Sequence, residues 1–570
     1  MSGPYRLPAT APARFGTDID RSEPVGFRVG GRVHSGLYGD TLASALLAGG
    51  QSVVGVSPLL GRPRGLMALG LEDASPVALE GDAGPWSLVS GSEIAVREGL
   101  RAKGPGIGVE TTLRRFTPPA ASDRRALPAA QQMLERLRRA LPLPGPRLPT
   151  VEPPPFARVE TCGVLVIGAG LAGLAAAAAL RSAGVDVRMV EASRRPGGVA
   201  DLYDGRIDGK PLADWAKAQA ASLQDRDGLA LSATAISIEQ DGSVLVVERD
   251  DPQRPGRISL KLVAASAVVL ASGYRERPLV FAGNDRPGVI LATTTRALLR
   301  RNAVAPGARV LVATTGDEGY RTAIDLREAG VTVDFVLDAR EDPQGPAVDM
   351  AKALGVPVSL STVVTGVDYD EAKQRLTLVK TRNRFGEGVT EGARAFEADA
   401  LVVSGGLEAR DELARLSGLR AENGLHLALS GPNAVDAIAG GWAAGSAAAA
   451  QLGAVVAGSV PEVEASMDER CERLVPTPGQ AAGAGAAETF VDFGADVTLA
   501  DLARAAARRG AAPAAVSRRL GLGLGPDGGR LGGNLAGAAF SALTGVGFAA
   551  PSPGRPTLSA LAARAKLRDG

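Results

Sequence analysis

The hydrophobic pattern of the chain is clearest at residues 163–191, where two apolar runs flank an alanine-rich stretch. The run from Val164 to Ile167 is unbroken and rich in β-branched residues, which predicts a strand buried on both faces. The alanine-rich stretch that follows predicts a helix, and the run from Val185 to Val190 predicts a second strand. Strand, helix and strand in this order predict a βαβ unit with parallel strands.

Three glycines mark the turn between the first strand and the helix, namely Gly168, Gly170 and Gly173 in the spacing GxGxxG. In this motif the first glycine permits the tight turn, the second lets the backbone approach a pyrophosphate, and the third lets helix and strand pack closely. The helix N-terminus offers unpaired N–H groups to the phosphates. Glu191 ends the second strand, where a carboxylate accepts hydrogen bonds from ribose hydroxyls. The pattern predicts a bound dinucleotide, and the alternative is a structural glycine turn without a ligand.

A second strand–helix–strand pattern covers residues 308–340. Its first loop, residues 313–319, reads ATTGDEG instead of GxGxxG, and Asp317 and Glu318 stand where phosphates would approach. Because like charges repel, we expect this unit to keep its fold without a nucleotide.

The N-terminal region predicts a different kind of domain. Residues 25–50 predict a β-hairpin and then a helix that begins at Asp40 or Thr41, and the phrase GRPRG follows at 61–65. This order resembles the opening of a plant-ferredoxin-like β-grasp domain. Cluster-bearing relatives hold a [2Fe–2S] cluster with cysteines after that loop, whereas residues 66–78 contain none. Thiolates are the ligands of such a cluster, so we expect a cluster-free domain that is a structural relic or a docking surface.

Other segments are typical of flavoproteins with two dinucleotide-binding domains. Arg195-Pro-Gly-Gly198 supplies a glycine pair at the cofactor, residues 268–273 return the chain to the first unit, and residues 437–445 resemble the helix whose N-terminus meets the cofactor. The predicted organisation is an N-terminal arm and cluster-free ferredoxin-like β-grasp domain (1–100), a connector with helical and proline-rich stretches (101–160), the first part of the first dinucleotide-binding domain (161–300), a second, degenerate one (301–400), the return to the first (401–471) and a linker with a C-terminal extension (472–570). Within these limits we expect an extended arm at 1–24, a helix at 129–141 and a stiff proline-rich stretch at 142–155.

The composition argues against most kinds of side-chain catalysis and metal binding. The 570 residues include only two cysteines, Cys162 and Cys471, and only two histidines, one of them His426. A disulfide framework and a His/Cys metal site with recognisable spacing are excluded, and no CxxC follows the first βαβ unit to support dithiol chemistry. We expect Cys162 to be a small core residue and His426 to be a strand residue. Any chemistry therefore belongs to a cofactor or to a partner chain.

Charge and hydropathy give no reason to expect nucleic acid or membrane partners. The 63 basic and 62 acidic residues leave a net charge of +1, which offers no electrostatic attraction to polyanions. Residues 441–460 are nearly uncharged but consist mainly of alanine and glycine, so close helix packing is favoured over membrane insertion. Residues 1–13 lack the apolar region of a secretory signal, and we expect a cytoplasmic protein.

Three long phrases, at residues 39–65, 163–198 and 489–503, occur in an order that resembles the α subunit of heterotetrameric sarcosine oxidase. The resemblance covers roughly residues 20–555 and extends to α subunits of opine, hydroxyproline and proline dehydrogenases. It departs at residues 518–530, which are much altered, and the chain stops where the family's folate-binding domain would begin. We therefore expect no built-in tetrahydrofolate site.

The resemblance implies an oxidoreductase acting on CH–NH groups, which converts a secondary amine or N-methyl amino acid to an imine. It implies NAD in this chain, FMN at the interface with a partner and FAD in that partner, an FAD-binding β-like subunit where the amine is oxidised, with further small subunits. FAD is an alternative to NAD here because both share the fingerprint and the acid. Arg194 would suit a 2′-phosphate, but Glu191 argues against NADP. A self-sufficient FAD oxidoreductase and a purely structural, nucleotide-bound scaffold remain the rival hypotheses.

No residue is assigned as catalytic or as a metal ligand. The residues assigned to the cofactor are Gly168, Gly170, Leu171, Ala172, Gly173, Glu191, Ala192, Arg194, Gly197, Gly198, Val199, Ser272, Gly273, Gly440 and Gly441.

Overall fold

The computed structural model describes most of the chain outside the connector and the C-terminus. The described residues are 3–57, 60–81, 84–102, 158–224, 228–249, 258–385, 392–465, 471, 472, 474, 483–508, 511–523, 525 and 527–547. The helix predicted at 129–141 and the proline-rich stretch at 142–155 lie outside them. Among the described helices, none combines the length and the apolar character that a membrane crossing requires.

The N-terminal unit is a β-grasp, as predicted. Its sheet has the order β2-β1-β7-β5-β6, in which β1 runs antiparallel to β2 and parallel to β7. The helix begins after Thr41, whose side chain accepts the Ser44 N–H while the Ser44 hydroxyl accepts the Thr41 N–H. The elements are β1 (Asp20–Val29), β2 (Arg32–Tyr38), α1 (Leu42–Ala48), β3 (Gly55–Val56), β4 (Pro63–Arg64), β5 (Pro76–Gly81), β6 (Gly84–Ser90) and β7 (Arg101–Ala102).

Residues before β1 form a series of turns. Leu7 and Phe15 are buried, and the Leu7 N–H donates to the Ala303 carbonyl at 2.9 Å. The extended arm predicted at 1–24 is therefore wrong in two respects, since turns that begin at Gly3, Pro8 and Pro12 fold residues 3–19 onto the body and β1 begins inside the predicted arm.

The first dinucleotide unit is built on a seven-stranded sheet. Its order is β12-β9-β8-β15-β14-β13, with β26 added beside β15, and the central strands β9, β8 and β15 are parallel. Helices α2 and α8 pack against each other on one face. The elements are β8 (Arg158–Ile167), α2 (Leu171–Ser182), β9 (Val187–Val190), β10 (Arg206–Ile207), β11 (Lys210–Pro211), α3 (Leu212–Gln224), β12 (Leu229–Ala230), β13 (Ala233–Ile238), β14 (Val244–Arg249), β15 (Ile258–Leu270), β26 (Leu425–Leu427), α8 (Ala434–Gln451) and β27 (Val463–Glu464).

The second dinucleotide unit has a parallel sheet of order β17-β24-β18-β19-β20 and a separate antiparallel sheet of β21, β22 and β23. Because β17 and β24 pair within this sheet, the unit starts earlier and ends later than the predicted limits of 301 and 400. The elements are β16 (Tyr274–Glu276), β17 (Val289–Leu291), α4 (Ala292–Asn302), β18 (Arg309–Thr314), α5 (Asp317–Glu328), β19 (Thr332–Asp338), α6 (Pro346–Ala353), β20 (Val358–Ser359), β21 (Thr362–Asp370), β22 (Arg375–Asn383), β23 (Arg394–Glu397), β24 (Ala400–Ser404), β25 (Leu407–Ala409) and α7 (Glu412–Ser417).

The C-terminal segment packs on the second unit. Phe490, Phe493 and Phe540 are almost fully buried and belong to the same core as Leu401 and Val403 of β24. Burial of such large side chains gives this glycine- and alanine-rich segment a fixed place in the fold. Its elements are β28 (Phe490–Asp492), β29 (Val497–Thr498), α9 (Leu499–Ala506), α10 (Pro513–Leu520) and α11 (Gly533–Thr544).

Candidate functional site: the glycine loop of the first dinucleotide unit

Two of the three motif glycines are required by close backbone packing. Gly168 has a φ of +105°, and a Cβ there would lie 2.3 Å from the Ala271 carbonyl oxygen. A Cβ on Gly173 would lie 1.8 Å from the Gly168 carbonyl oxygen. Such contacts exclude any side chain, so these glycines hold β8, the loop and α2 together.

Gly170 differs from its neighbours because the space beside it is open. A Cβ at this position would meet no heavy atom within 4 Å, and its φ of −78° is one that any residue adopts. It is the N-cap of α2 and gives that helix no side-chain cap. The N–H groups of Leu171 and Ala172 are in the first turn, where a helix supplies no acceptors. The combination of open space and uncapped donors fits a phosphate group.

Glu191 lies at the end of β9 and is bonded to this loop. Its Oε2 accepts the Ala169 N–H at 2.7 Å, and its Oε1 accepts the Ser193 N–H at 2.8 Å. Burial raises the pKa of Glu191, and these N–H donors act in the opposite direction. Ala192 and Arg194, which follow on the chain, are half-buried.

The predicted glycine pair lies directly against the loop. The Gly197 N–H donates to the Ala169 carbonyl at 2.7 Å, and a Cβ on Gly198 would lie 3.1 Å from the Gly170 Cα. Val199 follows and is 46% exposed. The structure therefore brings the segment 197–199 to the place where a pyrophosphate would lie.

Ser272 and Gly273 follow β15, next to Ala271, which contacts Gly168. Both are in contact with Arg410, a residue that the sequence analysis missed. Arg410 Nη1 donates to the Ser272 carbonyl at 3.2 Å, and its Nε pairs with Glu72 Oε1 at 2.5 Å. Arg410 is distant in sequence from these residues and belongs to no motif, so no sequence pattern pointed to it.

Gly440 and Gly441 are explained by packing. A Cβ on Gly441 would lie 2.0 Å from the Ala172 carbonyl oxygen, and one on Gly440 would lie 2.0 Å from the Ser430 Oγ. Gly445 similarly faces Ala176, so α8 and α2 run in parallel at very short distance. The pair lies inside α8 and not at its N-terminus, so these packing contacts account for both glycines, and their contact with a cofactor stays a prediction.

The loop of the second unit is filled by the protein itself. The sequence pattern predicted that Asp317 and Glu318 face the place where phosphates would approach. Both are instead buried in ion pairs, Asp317 with Arg340 at 2.8 Å and Glu318 with Arg296 at 2.8 Å. Asp338, at the ribose position after β19, also pairs with Arg340 at 2.9 Å.

A short chain segment covers this second loop. Gly316 forms an antiparallel bridge with Cys471, and the Glu472 N–H donates to the Thr315 carbonyl at 2.9 Å. Covered and internally neutralised, the loop differs in both respects from the open loop at Gly170.

The expected roles of Cys162 and His426 are confirmed. Cys162 is buried in β8, and burial raises the pKa of its thiol to about 11. His426 lies in β26, where its Nε2 is 2.8 Å from Gln451 Oε1. In the part of the chain that the structure describes, no group of three or more His, Cys, Asp or Glu side chains is placed to hold a metal.

Comparison with known proteins agrees with this geometry. Sarcosine oxidase subunit alpha from Corynebacterium sp. (strain P-1) is 30% identical over 532 residues, which cover 88% of this chain and 51% of that protein. The subunit from Rhizobium meliloti (strain 1021) is 35% identical over 368 residues, covering 59% and 36%. The chain thus spans about half of the first relative and about a third of the second, and the expected resemblance to sarcosine oxidase α subunits is confirmed.

A solved structure and a family model extend the comparison. The crystal structure of L-proline dehydrogenase from P. horikoshii has a similar fold, with a TM-score of 0.66 at 17% identity over 98% of this chain and 99% of that chain. The family model described as pyridine nucleotide-disulphide oxidoreductase matches residues 163–462. This match covers both dinucleotide units and more than half of the residues of the chain. The chain therefore belongs to the pyridine nucleotide-disulphide oxidoreductase family.

Proposed function

We propose that this chain is the dinucleotide-binding, α-type subunit of a heteromeric flavin-dependent amine oxidase or dehydrogenase of the sarcosine oxidase type. The observation that carries the proposal is the asymmetry between the two loops. The first is open at Gly170 and has Glu191 at the ribose position, whereas the second is covered by residues 471–472 and has its carboxylates paired. One dinucleotide per chain follows from this asymmetry.

A single dinucleotide site limits the chemistry that the chain performs alone. Hydride transfer from a nicotinamide to a flavin needs the two cofactors in contact, and the second loop of this chain offers no open place for a second cofactor. This argues against a self-sufficient pyridine-nucleotide-dependent reductase. The similarity to sarcosine oxidase α subunits supports NAD as the dinucleotide, with FAD as the alternative.

The described side chains near the glycine loop bind and orient rather than react. The Glu191 carboxylate accepts ribose hydroxyls while it holds Ala169, and the first turn of α2 receives the pyrophosphate. The thiol of Cys162 is buried inside β8, and the His426 ring is bonded to Gln451. Neither is placed for acid–base work at that loop.

Amine oxidation is therefore assigned to a partner. In this proposal a β-like subunit would hold FAD, and FMN would lie where the two chains meet. The FAD would supply the hydride acceptor for oxidation of a secondary amine or N-methyl amino acid, which becomes an imine when its N–H proton passes to solvent or a base of that subunit. Further small subunits complete the complex, and its location is the cytoplasm.

The proposal is tested by purifying the full chain alone and after co-expression with a sarcosine oxidase β-like subunit. We expect the chain alone to release one NAD on denaturation, as identified by mass spectrometry, and to oxidise no amine, whereas the complex oxidises N-methyl amino acids. Turnover by the isolated chain, together with visible flavin absorption, would establish the self-sufficient FAD enzyme instead. A complex that turns over normally after its dinucleotide has been removed would favour the structural scaffold.

A further inference from the structure

We propose that Arg301, on α4 of the second dinucleotide unit, is a positioning residue for the dinucleotide site of the first unit. Its Nη2 donates to the Gly198 carbonyl oxygen at 2.9 Å. Its Nε and Nη2 also bind the two carboxylate oxygens of Asp201, at 2.7 and 2.8 Å. Gly198 itself lies against Gly170, so the guanidinium holds the residue that borders the open loop. The inference rests on the dinucleotide proposed for that loop.

The glycine pair needs such an anchor because it has little conformational preference of its own. Gly197 and Gly198 have φ values of +98° and +59°, and two successive glycines have more backbone freedom than any other dipeptide. The bond from the Gly197 N–H to Ala169 fixes one end of the pair. Arg301 fixes the other end and binds the Gly198 carbonyl oxygen, so the negative end of this peptide dipole is neutralised beside the expected phosphates.

Asp201 makes the anchor rigid because it is shared between two arginines. Arg195 Nη2 pairs with it at 3.0 Å, and Arg195 also pairs with Asp18 of the N-terminal turns. The Asp18 N–H donates to the Arg301 carbonyl at 2.9 Å, which closes the arrangement at the end of α4. Although burial opposes it, bonds and charges from Arg301 and Arg195 hold the pKa of Asp201 below its usual value.

Two more arginines of α4 continue the attachment along the same segment. Arg296 donates to the Leu202 carbonyl, and Arg300 binds both carboxylate oxygens of Asp204 at 3.1 Å. The first and second units are thus joined through residues 198–204. The second unit, whose own loop is filled, acquires a role in this way, since it supports the nucleotide site of the first.

The test measures dinucleotide affinity in the full chain after endogenous nucleotide has been removed, with NAD and FAD titrated separately by calorimetry. Removing a charge-assisted hydrogen bond is expected to weaken binding about tenfold, so Arg301→Gln should raise the Kd of the bound dinucleotide by that factor. Arg301→Lys keeps the charge and one donor and should give an intermediate Kd, which also provides the readout if Arg301→Gln does not fold. Arg309→Gln is the matched control, because Arg309 is 53% exposed and pairs with Asp334 and Glu397 of the second unit.

The outcomes separate this inference from the proposed function. If wild-type protein binds neither NAD nor FAD, the proposed function and the inference both fail. If wild type binds but Arg301→Gln or Arg301→Lys has the wild-type Kd, only the inference fails, even when the variant has a lower melting temperature. An equal loss of affinity in Arg309→Gln would also overturn it.

Discussion

The Oε2 atom of Glu191 accepts the backbone N–H of Ala169 at 2.7 Å. This bond ties the end of the second strand of the βαβ unit to the glycine loop that follows the first strand. Each carboxylate oxygen has two lone pairs, so Glu191 shapes the loop with one lone pair of Oε2 and keeps others for a ribose. In the proposed site, one side chain would thus both shape the loop and bind the ribose.

Replacing Glu191 with Gln should weaken dinucleotide binding. The amide nitrogen of Gln cannot accept, so either the Ala169 or the Ser193 N–H loses its partner, at a cost of about 1–3 kcal/mol. We expect the Kd for NAD to rise about tenfold or more by calorimetry. Glu371→Gln is a suitable control because that carboxylate is 60% exposed and pairs with Arg286, away from the glycine loop.

The raised pKa of Glu191 predicts that the affinity for NAD depends on pH. Because burial raises the pKa of Glu191, its carboxylate takes up a proton at a higher pH than an ordinary glutamate, and the ribose loses an acceptor. NAD affinity should therefore fall on acidification, beginning above the usual glutamate range of about 4.3. Glu191→Gln should remove this dependence. An identical pH profile in wild type and variant would contradict the assignment.

Gly170→Ala should weaken dinucleotide binding with little effect on stability, whereas Gly173→Ala should destabilise the fold. A Cβ on Gly170 enters open space, so Gly170→Ala should leave the free energy of unfolding within about 1 kcal/mol of wild type while the methyl group obstructs the phosphates. A Cβ on Gly173 would lie 1.8 Å from the Gly168 carbonyl oxygen, so Gly173→Ala should destabilise the fold by about 3 kcal/mol. Urea denaturation and NAD titration of both variants check this. A large loss of stability in Gly170→Ala would show that the loop has only a structural role.

The local part of the site was predictable from sequence because its signals are local. The glycine spacing, the strand before it and Glu191 lie within 30 residues and each has a backbone reason for its identity. Arg410 and Arg301 were not predictable, since each reaches the loop through tertiary contacts across more than 100 residues. The packing role of Gly440 and Gly441 was not predictable either, since a glycine pair in a helix suits a ligand as well as a neighbouring chain segment, and here Gly441 faces Ala172 of α2 while Gly440 faces Ser430.

Replacing Arg340 should strongly destabilise the second unit but should leave dinucleotide binding by the first unit unchanged. Arg340 is the cation for the buried Asp317 and Asp338, and removing one partner of a buried ion pair costs about 3–5 kcal/mol. Arg340→Met should therefore lower the urea midpoint strongly, whereas Arg309→Gln at the surface should cost less than about 1 kcal/mol. Folded Arg340→Met should still release one dinucleotide per chain. A wild-type stoichiometry of two would refute the filled second loop.

Glu276 should make the protein less stable as pH rises through neutrality. It is almost fully buried and accepts the N–H and the hydroxyl of Thr293 at 2.8 Å. Burial, with a smaller contribution from the charge of Glu318, raises the pKa of Glu276 to about 8. A glutamate in the unfolded chain has a pKa of about 4.3. Between these two pKa values the folded state binds more protons than the unfolded state, so this group lowers the free energy of unfolding by up to about 1.4 kcal/mol per pH unit.

A Gln at position 276 resembles the protonated acid and does not titrate, so the comparison isolates this one group from the other buried carboxyls. We expect the stability of Glu276→Gln relative to wild type to rise between pH 5 and pH 8 by on the order of 4 kcal/mol, since about 1.4 kcal/mol per pH unit acts over three pH units. Urea denaturation at several pH values measures the difference, with Glu397→Gln as control because Glu397 is 78% exposed. A stability difference that stays constant from pH 5 to pH 8 would mean that Glu276 is ionised throughout. Its burial beside Glu318 would then require a compensating cation, and Arg296, which pairs with Glu318 at 2.8 Å, would be the residue to substitute next.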